Sequence, residues 1–304
     1  MTIKESLRNN KHIFSAYVCI VDLFFRILTL ISPELNTKAR YRHAFKKKLN
    51  LENPQTFAEK LLTLKLKRYN SDPLVKKCAD KYKVREYIKD CGAEHILIPL
   101  IKTYDTPDEI DFNALPDQFA IKWNYGCGYN IICPNKSKLD RKSTVKRLKK
   151  WSREHKYLDY SEMQYQGVDK KIIIEDYLKP SDGLLPADYK VYCFNGTPMT
   201  IFYINDRGTE DKNAAFFDLE WNFISHAGNA SYKEMTATPE KPACLDEMIE
   251  ISRKLSAPFE FVRIDYYDID GKLYFGEMTF TPATGLYASE CKINGKTMGE
   301  ILQV

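Results

Sequence analysis

The sequence predicts an α+β fold in which antiparallel hairpins alternate with amphipathic helices, and three stretches carry that expectation. Residues 261–285, FVRIDYYDIDGKLYFGEMTFTPATG, alternate apolar and polar residues on both sides of Asp270-Gly271, as a hairpin does. Residues 187–207 repeat the pattern around Asn195-Gly196, and 119–133 read as a strand, a glycine-bearing loop and a second strand. Between them, 57–66 and 243–257 place apolar residues at helical spacing. At 304 residues the chain can bury a sizeable core and divides into two or three subdomains.

Composition narrows the function. Apolar residues make up 44% and charged residues 29%, which is ordinary for a globular protein. The net charge of +5 favours anionic partners but is too small to imply nucleic acid. The eight cysteines show no C-x-x-C pair and no zinc spacing, so they read as reduced core residues of a cytoplasmic protein. The five histidines form no group, and none is assigned a role.

Taken in order, residues 1–50 form a helical N-terminal segment. The run 13–32, IFSAYVCIVDLFFRILTLIS, is about the length that crosses a bilayer, roughly 20 residues, but Asp22 and Arg26 interrupt it one turn apart. An amphipathic helix is therefore expected, and the absence of a small-residue cleavage site argues against a signal peptide. The basic run Lys38, Arg40, Arg42, Lys46, Lys47 and Lys48 then reads either as a solvated face or as attraction to an anionic membrane surface. Residues 51–110 are expected to be a mainly helical part. Its scaffold helix carries Phe57, Leu61, Leu64 and Leu66, and Lys81 opens a second helix that closes at Gly92. A lysine there can reach a phosphate or simply face water.

Residues 111–178 are expected to form a small lobe. Lys122 lies on a short apolar strand, followed by a loop with Asn124, Gly126 and Gly128. This is neither a P-loop nor a dinucleotide fingerprint, because no helix follows. Glycines let backbone amides close on an anion, although a plain hairpin has the same residues. The helix around Lys146, Arg147, Lys149 and Lys150 is basic, and the strand KIIIEDYLKP ends in Glu175-Asp176-Tyr177-Leu178 like a hinge. Residues 179–304 form the C-terminal lobe, with Asp188 and Lys190 on one face of a strand and Asp206-Arg207 closing the next.

The final hairpin raises a question of parity. A two-residue turn at Asp270-Gly271 would put Asp265 and Glu277 on opposite faces, since side chains alternate with period two. A three-residue loop with Gly271 left-handed would bring Arg263, Asp265 and Glu277 onto one face, and that loop is the expectation. Two converging carboxylates suit Mg²⁺, whereas the alternative is a solvated acidic face.

Six segments in this order, NPQTFAEK, ADKYKVREYI, LPDQFAIKWNYGCGYNIIC, IIIEDYL, DYKVYCFNG and FVRIDYYDIDGKLYFGEMTFTP, resemble the TupA-like branch of the ATP-grasp superfamily over residues 53–304. That branch is associated with cell-surface polysaccharides. The resemblance implies an ATP-grasp fold, two lobes closing on ATP, with Mg²⁺ as cofactor. It implies that Lys81 and Lys122 hold phosphates and that the loop Asn124, Gly126, Gly128 closes over them. Glu175, Asp176, Tyr177 and Leu178 would form the adenine hinge, and Asp188 would meet the ribose. Asp265 and Glu277 would hold the metal, with Thr279 standing where related enzymes place Asn. Arg263 would steady the transferring phosphoryl group, while Lys190, Arg207 and the basic helix would receive the anionic acceptor. Ala283 replaces a glycine usual after Pro282, and Tyr125, Cys127 and Tyr129 are larger than the loop residues of related sequences.

The implied activity is an ATP-dependent carboxylate–amine ligase, with a uronic acid of a glycan or its precursor as one partner and an amino acid or amino sugar as the other. A kinase of sugar hydroxyls and a non-catalytic nucleotide-binding module are the rivals. If the membrane reading of residues 1–50 holds over the solvated-face one, their removal is expected to release the protein from the inner face of the membrane without loss of chemistry.

Overall fold

The structure, a computed structural model, describes residues 11–181, 185–228, 231–286 and 291–304. The first ten residues of the expected N-terminal segment lie outside the described residues. Helices α1 (Lys11–Ile31) and α2 (Pro33–Phe45) turn back on each other at Ser32, whose hydroxyl caps α2 with Pro33 as its first residue. Helix α3 (Phe57–Leu64) starts in a capping box made by Thr56 and Glu59. It then widens into a π-helical turn, Lys65–Tyr69, which rotates the apolar face. As a result Lys65 is buried, and Leu66, expected in the core, is only half-buried. Helices α4 (Pro73–Ala79) and α5 (Val84–Asp90) follow, with Lys81 in the turn between them and left-handed Gly92 beyond the second.

Four strands form an antiparallel sheet in the order β1-β4-β2-β3: β1 (Leu100–Tyr104), β2 (Phe119–Trp123), β3 (Asn130–Cys133) and β4 (Ile172–Asp176). Helix α6 (Arg141–Ser152) covers it, burying Leu148 against Trp123. This sheet draws on the expected helical part, because β1 begins at Leu100. The rest of that part does not stand alone either. Phe57 packs edge-on to Phe261 at 5.1 Å, and the Tyr69 hydroxyl donates to the Phe261 carbonyl and accepts from its amide, so α3 to α5 share the C-terminal core.

The larger sheet is six-stranded and antiparallel, in the order β10-β9-β5-β6-β7-β8. It comprises β5 (Asp188–Phe194), β6 (Thr197–Asn205), β7 (Asn213–Phe217), β8 (Phe223–His226), β9 (Phe261–Ile269) and β10 (Lys272–Thr279). Helix α7 (Leu245–Ser256), expected from its apolar stripe, packs across β5, β6 and β9. A short hairpin, β11 (Lys292–Ile293) and β12 (Lys296–Thr297), and helix α8 (Met298–Ile301) close the chain.

The β9–β10 loop corrects the expectation. Ile269 pairs with Lys272, and Asp270 (φ 53°) and Gly271 (φ 83°) form a two-residue type I′ turn. Parity is restored elsewhere: the register shifts between Phe275 and Glu277, where Gly276 is an unpaired bulge residue. Beyond it Glu277 faces Asp265 directly, and Asp265 in turn faces Lys190 on β5. The three side chains form one row across three strands. Glycine is required at the bulge, because a Cβ on residue 276 would fall 2.9 Å from the Asp265 carbonyl oxygen.

Substituting Gly276→Ala should therefore destabilise the fold by about 1–3 kcal/mol, the range of overpacked backbone sites. Urea unfolding with an unchanged slope and lowered midpoint is the expected reading, and an unchanged midpoint would show that the bulge is not tight.

Candidate active site

The row Lys190, Asp265 and Glu277 is the floor of a cleft between the two sheets. Arg263, two residues before Asp265, donates from Nε to Asp265 Oδ1 at 2.7 Å and from Nη2 to Oδ2 at 2.8 Å, a bidentate pair. Lys190 Nζ donates to Asp265 Oδ2 at 2.5 Å and lies 3.6 Å from Asp188, which also accepts from Arg207 at 2.8 Å. Glu277 is held by Lys81 at 3.2 Å, lies 3.8 Å from Arg263, and accepts from the Thr279 hydroxyl at 3.2 Å. Burial alone would raise the Glu277 carboxyl, but Lys81, Arg263 and Lys190 hold it down to about 2. Asp188 goes the other way, its carboxyl raised by burial despite Lys190 and Arg207.

Lys81 joins the lobes. Its amide donates to the Asn124 carbonyl and its Nζ to the Gly126 carbonyl, each at 2.7 Å, so the glycine loop is tied to the residue that touches Glu277. Gly126 (φ 67°) admits no side chain, since a Cβ there would lie 3.0 Å from the Tyr129 ring. The large loop residues do not crowd the cleft: Tyr125 and Tyr129 are buried against Trp123 and Trp151 and anchor the loop to the small lobe. Asn124 acts as the loop's base. Its amide nitrogen donates to Asp80 and the Asp169 carbonyl, and its oxygen accepts from the Lys171 amide, so it positions backbone.

Two cavities flank this floor. One, of about 310 Å³, lies at the junction of the lobes and is lined by Lys122, Asp176, Tyr177, Leu178, Arg207 and Tyr267 together with apolar residues such as Ile98 and Ile132. The other, of about 360 Å³, lies on the far side of the glycine loop, lined by Gly126, Cys127, Glu162, Arg263, Glu277, Thr279 and the rings of Tyr125, Tyr129, Tyr157, Tyr160 and Tyr165. Arg207 edges the first, Arg263 and Glu277 the second, and Asp188, Lys190 and Asp265 connect them. A wider basic groove along α6, with Lys146, Arg147, Lys149 and Lys150, adjoins the second cavity through Glu154.

The expected residues divide accordingly. Lys122, Asp176, Tyr177, Leu178 and Arg207 line the first cavity, and Gly126, Arg263, Glu277 and Thr279 the second. Glu175 does not line the hinge cavity: it is buried and pairs with Lys122 at 2.7 Å and Arg85 at 3.2 Å. Gly128 (φ 78°) shapes the loop without lining either cavity. The sequence reading missed Arg85, Tyr267 and Glu162. The last lies in an irregular stretch, accepts from Thr281 at 2.6 Å, and has its carboxyl raised by burial.

The donor set fits Mg²⁺. No group of three metal-ligating side chains occurs among the described residues, but Mg²⁺ needs only one or two carboxylates beside phosphate oxygens and water, and Asp265 and Glu277 face each other as that pair. The Thr279 hydroxyl, donating to Glu277 and accepting from Arg263 at 3.2 Å, orients the pair.

Beneath the second cavity, buried Lys65 donates to the Tyr160 carbonyl at 2.8 Å, and burial lowers its ammonium from 10.5 to about 8. A lysine whose folded value is depressed is penalised fully below that value and relieved as pH rises towards its unfolded value. Wild type should therefore gain stability relative to Lys65→Met between pH 8 and about 10, read as the difference between two urea series. A flat difference would mean Lys65 is not buried as an ammonium.

No curated protein matches this chain in sequence. Among solved structures, D-alanine–D-alanine ligase from Bacillus anthracis is similar with a TM-score of 0.43 and 19% identity, over 70% of this chain and 58% of that one. L-amino acid ligase from Bacillus licheniformis gives 0.39 and 13%, over 70% and 43%, and D-alanine–D-alanine ligase from Helicobacter pylori 0.36 and 14%, over 69% and 56%. This chain thus spans 43–58% of the length of these structures. No described helix is long and apolar enough to cross a membrane. Residues 59–303 match the family model described as TupA-like ATPgrasp, and the chain belongs to that TupA-like ATP-grasp family.

Proposed function

We propose that the protein is an ATP-dependent carboxylate–amine ligase that works through an acyl phosphate. The observation that carries this reading is the placement of the Lys81, Lys190, Arg263, Asp265 and Glu277 cluster between a nucleotide-sized cavity and a second, tyrosine-lined one. ATP would sit in the first, its base against Tyr177 and Leu178 and its phosphates towards Lys122, Lys81 and the glycine loop. Asp188, beside Arg207 and Lys190, is within the cluster that faces the sugar and phosphates. Asp265 and Glu277 would hold Mg²⁺, which supplies charge neutralisation at the phosphates.

The substrate carboxylate would enter the second cavity beside Arg263. Its oxygen attacks the γ-phosphorus, the bond to the ADP oxygen breaks, and an acyl phosphate forms under the glycine loop, away from water. The incoming ammonium loses a proton to Glu162, whose burial raises its carboxyl's affinity for a proton. The amine nitrogen then attacks the acyl carbon, Arg263 balances the tetrahedral oxyanion, and phosphate leaves with the second proton. The products are an amide, ADP and phosphate. For the carboxylate we take a uronic acid of a cell-surface glycan or its precursor, and for the amine an amino acid or amino sugar. The half-buried Tyr157 and Tyr165 of the second cavity, which can stack on sugar faces, and the cationic groove along α6 support that class.

The test is incubation with ATP, Mg²⁺, a panel of uronic acids and hydroxylamine. Hydroxamate with released phosphate is expected. A phosphorylated sugar without released phosphate would replace the ligase by a kinase, and ATP binding without ADP would leave a binding module.

Two substitutions examine the site itself. Glu277→Gln should lower kcat at least 100-fold while circular dichroism still shows the folded protein, because the shape is kept and one metal-facing charge is lost; near-normal turnover would take Glu277 out of the metal site. Lys122→Ala should weaken nucleotide binding about tenfold, close to 1.4 kcal/mol, in a calorimetric titration. Arg85 still partners Glu175 in that variant, so an unchanged affinity would place the phosphates elsewhere.

A further inference from the structure

We propose that the outer face of α1, with the basic run that follows it, docks on an anionic lipid bilayer and sets the second cavity at the membrane surface. On α1 the residues Ile20, Leu23, Phe24, Ile27, Leu30 and Ile31 are all exposed, from 47% at Ile27 to 73% at Leu30. Their spacing of three and four places them in one stripe, roughly 17 Å long at the helical rise. Ordinary surface helices turn the apolar side inward, whereas this one buries Phe25 and leaves the longer apolar stripe outside. Its charged residues face the protein: Asp22 lies 3.7 Å from Arg40, and Arg26 donates to Asp159 at 2.5 Å. The two charges that interrupt the apolar run therefore do not interrupt the stripe.

Charge selects the occupant. Helix α2 runs back along α1, since Asn36 donates to the Phe25 carbonyl at 2.6 Å and the Arg40 guanidinium lies 3.6 Å from the Phe25 ring centre. Lys38 and Arg42, two residues from Asn36 and Arg40, lie on the side of α2 turned from that contact, Lys38 is paired with Glu34 at 2.5 Å, and Lys46, Lys47 and Lys48 follow just beyond, all exposed. A second copy packed on the stripe would bring these cations together. Anionic headgroups would neutralise them while the acyl boundary takes the apolar side chains, as in a helix lying in the interface.

The inner side of the same hairpin builds the cavity wall. Thr29 donates to the Leu158 carbonyl at 2.6 Å, Arg40 donates to the Asp159 carbonyl at 3.0 Å, and its guanidinium covers the Tyr160 ring at 4.4 Å. Tyr157, Asp159 and Tyr160 line the second cavity. A docked α1 thus holds that cavity close to the bilayer, where a substrate carried on a lipid would be presented.

The experiment is co-sedimentation of the full chain with vesicles of phosphatidylcholine alone or with 30% phosphatidylglycerol, about the level of anionic lipid that gives a membrane its surface potential. Binding is expected only with the anionic lipid and should fall with added salt. Leu23→Asp/Ile27→Asp and, separately, Lys46→Glu/Lys47→Glu/Lys48→Glu should each lower the partition coefficient at least tenfold, with nucleotide affinity unchanged as the sign that the fold is kept. Equal binding to both vesicle types, no binding to either, or wild-type partitioning of both variants overturns the proposal. So does a dimer in light scattering that the aspartate variant splits while vesicle binding is absent.

Discussion

One backbone irregularity, the bulge at Gly276, is what the site depends on. A type I′ turn fixes the outer register of β9 and β10, and carried inward that register would send Glu277 to the face that α7 covers. One extra residue without a side chain reverses this over a few ångströms. Glu277 then stands opposite Asp265, and the row continues to Lys190 on the next strand. Because the row is set by ladder pairing of the edge strand β10 with β9 and of β9 with β5, its geometry is held by backbone hydrogen bonds rather than by side-chain contacts alone.

The charges on that floor explain what it can hold. Lys81, Lys190, Arg207 and Arg263 meet Asp188, Asp265 and Glu277, and just above them Lys122 and Arg85 share Glu175. Each carboxylate has a cation against it, and the cations are in excess. A surplus of positive charge around paired carboxylates suits a polyanion brought with a divalent cation, which is the composition of a nucleoside triphosphate. The glycine loop belongs to the same electrostatic unit through Lys81, which bonds to the loop's Gly126 carbonyl and to Glu277 at once. Lys81 thereby ties the loop to the floor.

Much of this was legible in the sequence where local chemistry decides. Asn195-Gly196 and Asp270-Gly271 specify left-handed pairs, and both turned where expected; the α7 stripe and the strand–loop–strand around Gly126 are similarly local. The demand that Asp265 and Glu277 share a face was also sound. The device was misjudged, although a lone glycine inside a strand, Gly276, is itself a bulge signal. What could not be read depends on distant partners. Lys65 is buried because a π turn rotates α3, Glu175 turns away from the hinge cavity because Arg85 and Lys122 take it, and Glu162 reaches the second cavity through Thr281, more than a hundred residues later. The strands β7 and β8, flanking the aromatic stack of Phe217 on Trp221, also went unread, since their stretch gave no separate hairpin signal.

The N-terminal hairpin changes meaning in the folded protein. From sequence it is a detachable appendage, and the family match begins only at residue 59. Yet the carbonyls of Leu158 and Asp159 find their donors in Thr29, Asn36 and Arg40, and the Tyr160 ring is covered by Arg40. Removing the hairpin would strip those partners from a segment whose other side is held by Lys65 and, through Glu162, by Thr281. Without those side chains the segment loses the contacts that fix its course, and the wall of the second cavity loses that support. The hairpin that precedes the family match is therefore a structural component of the cavity that would receive the acceptor, and its apolar stripe lies on the side of α1 away from that cavity wall.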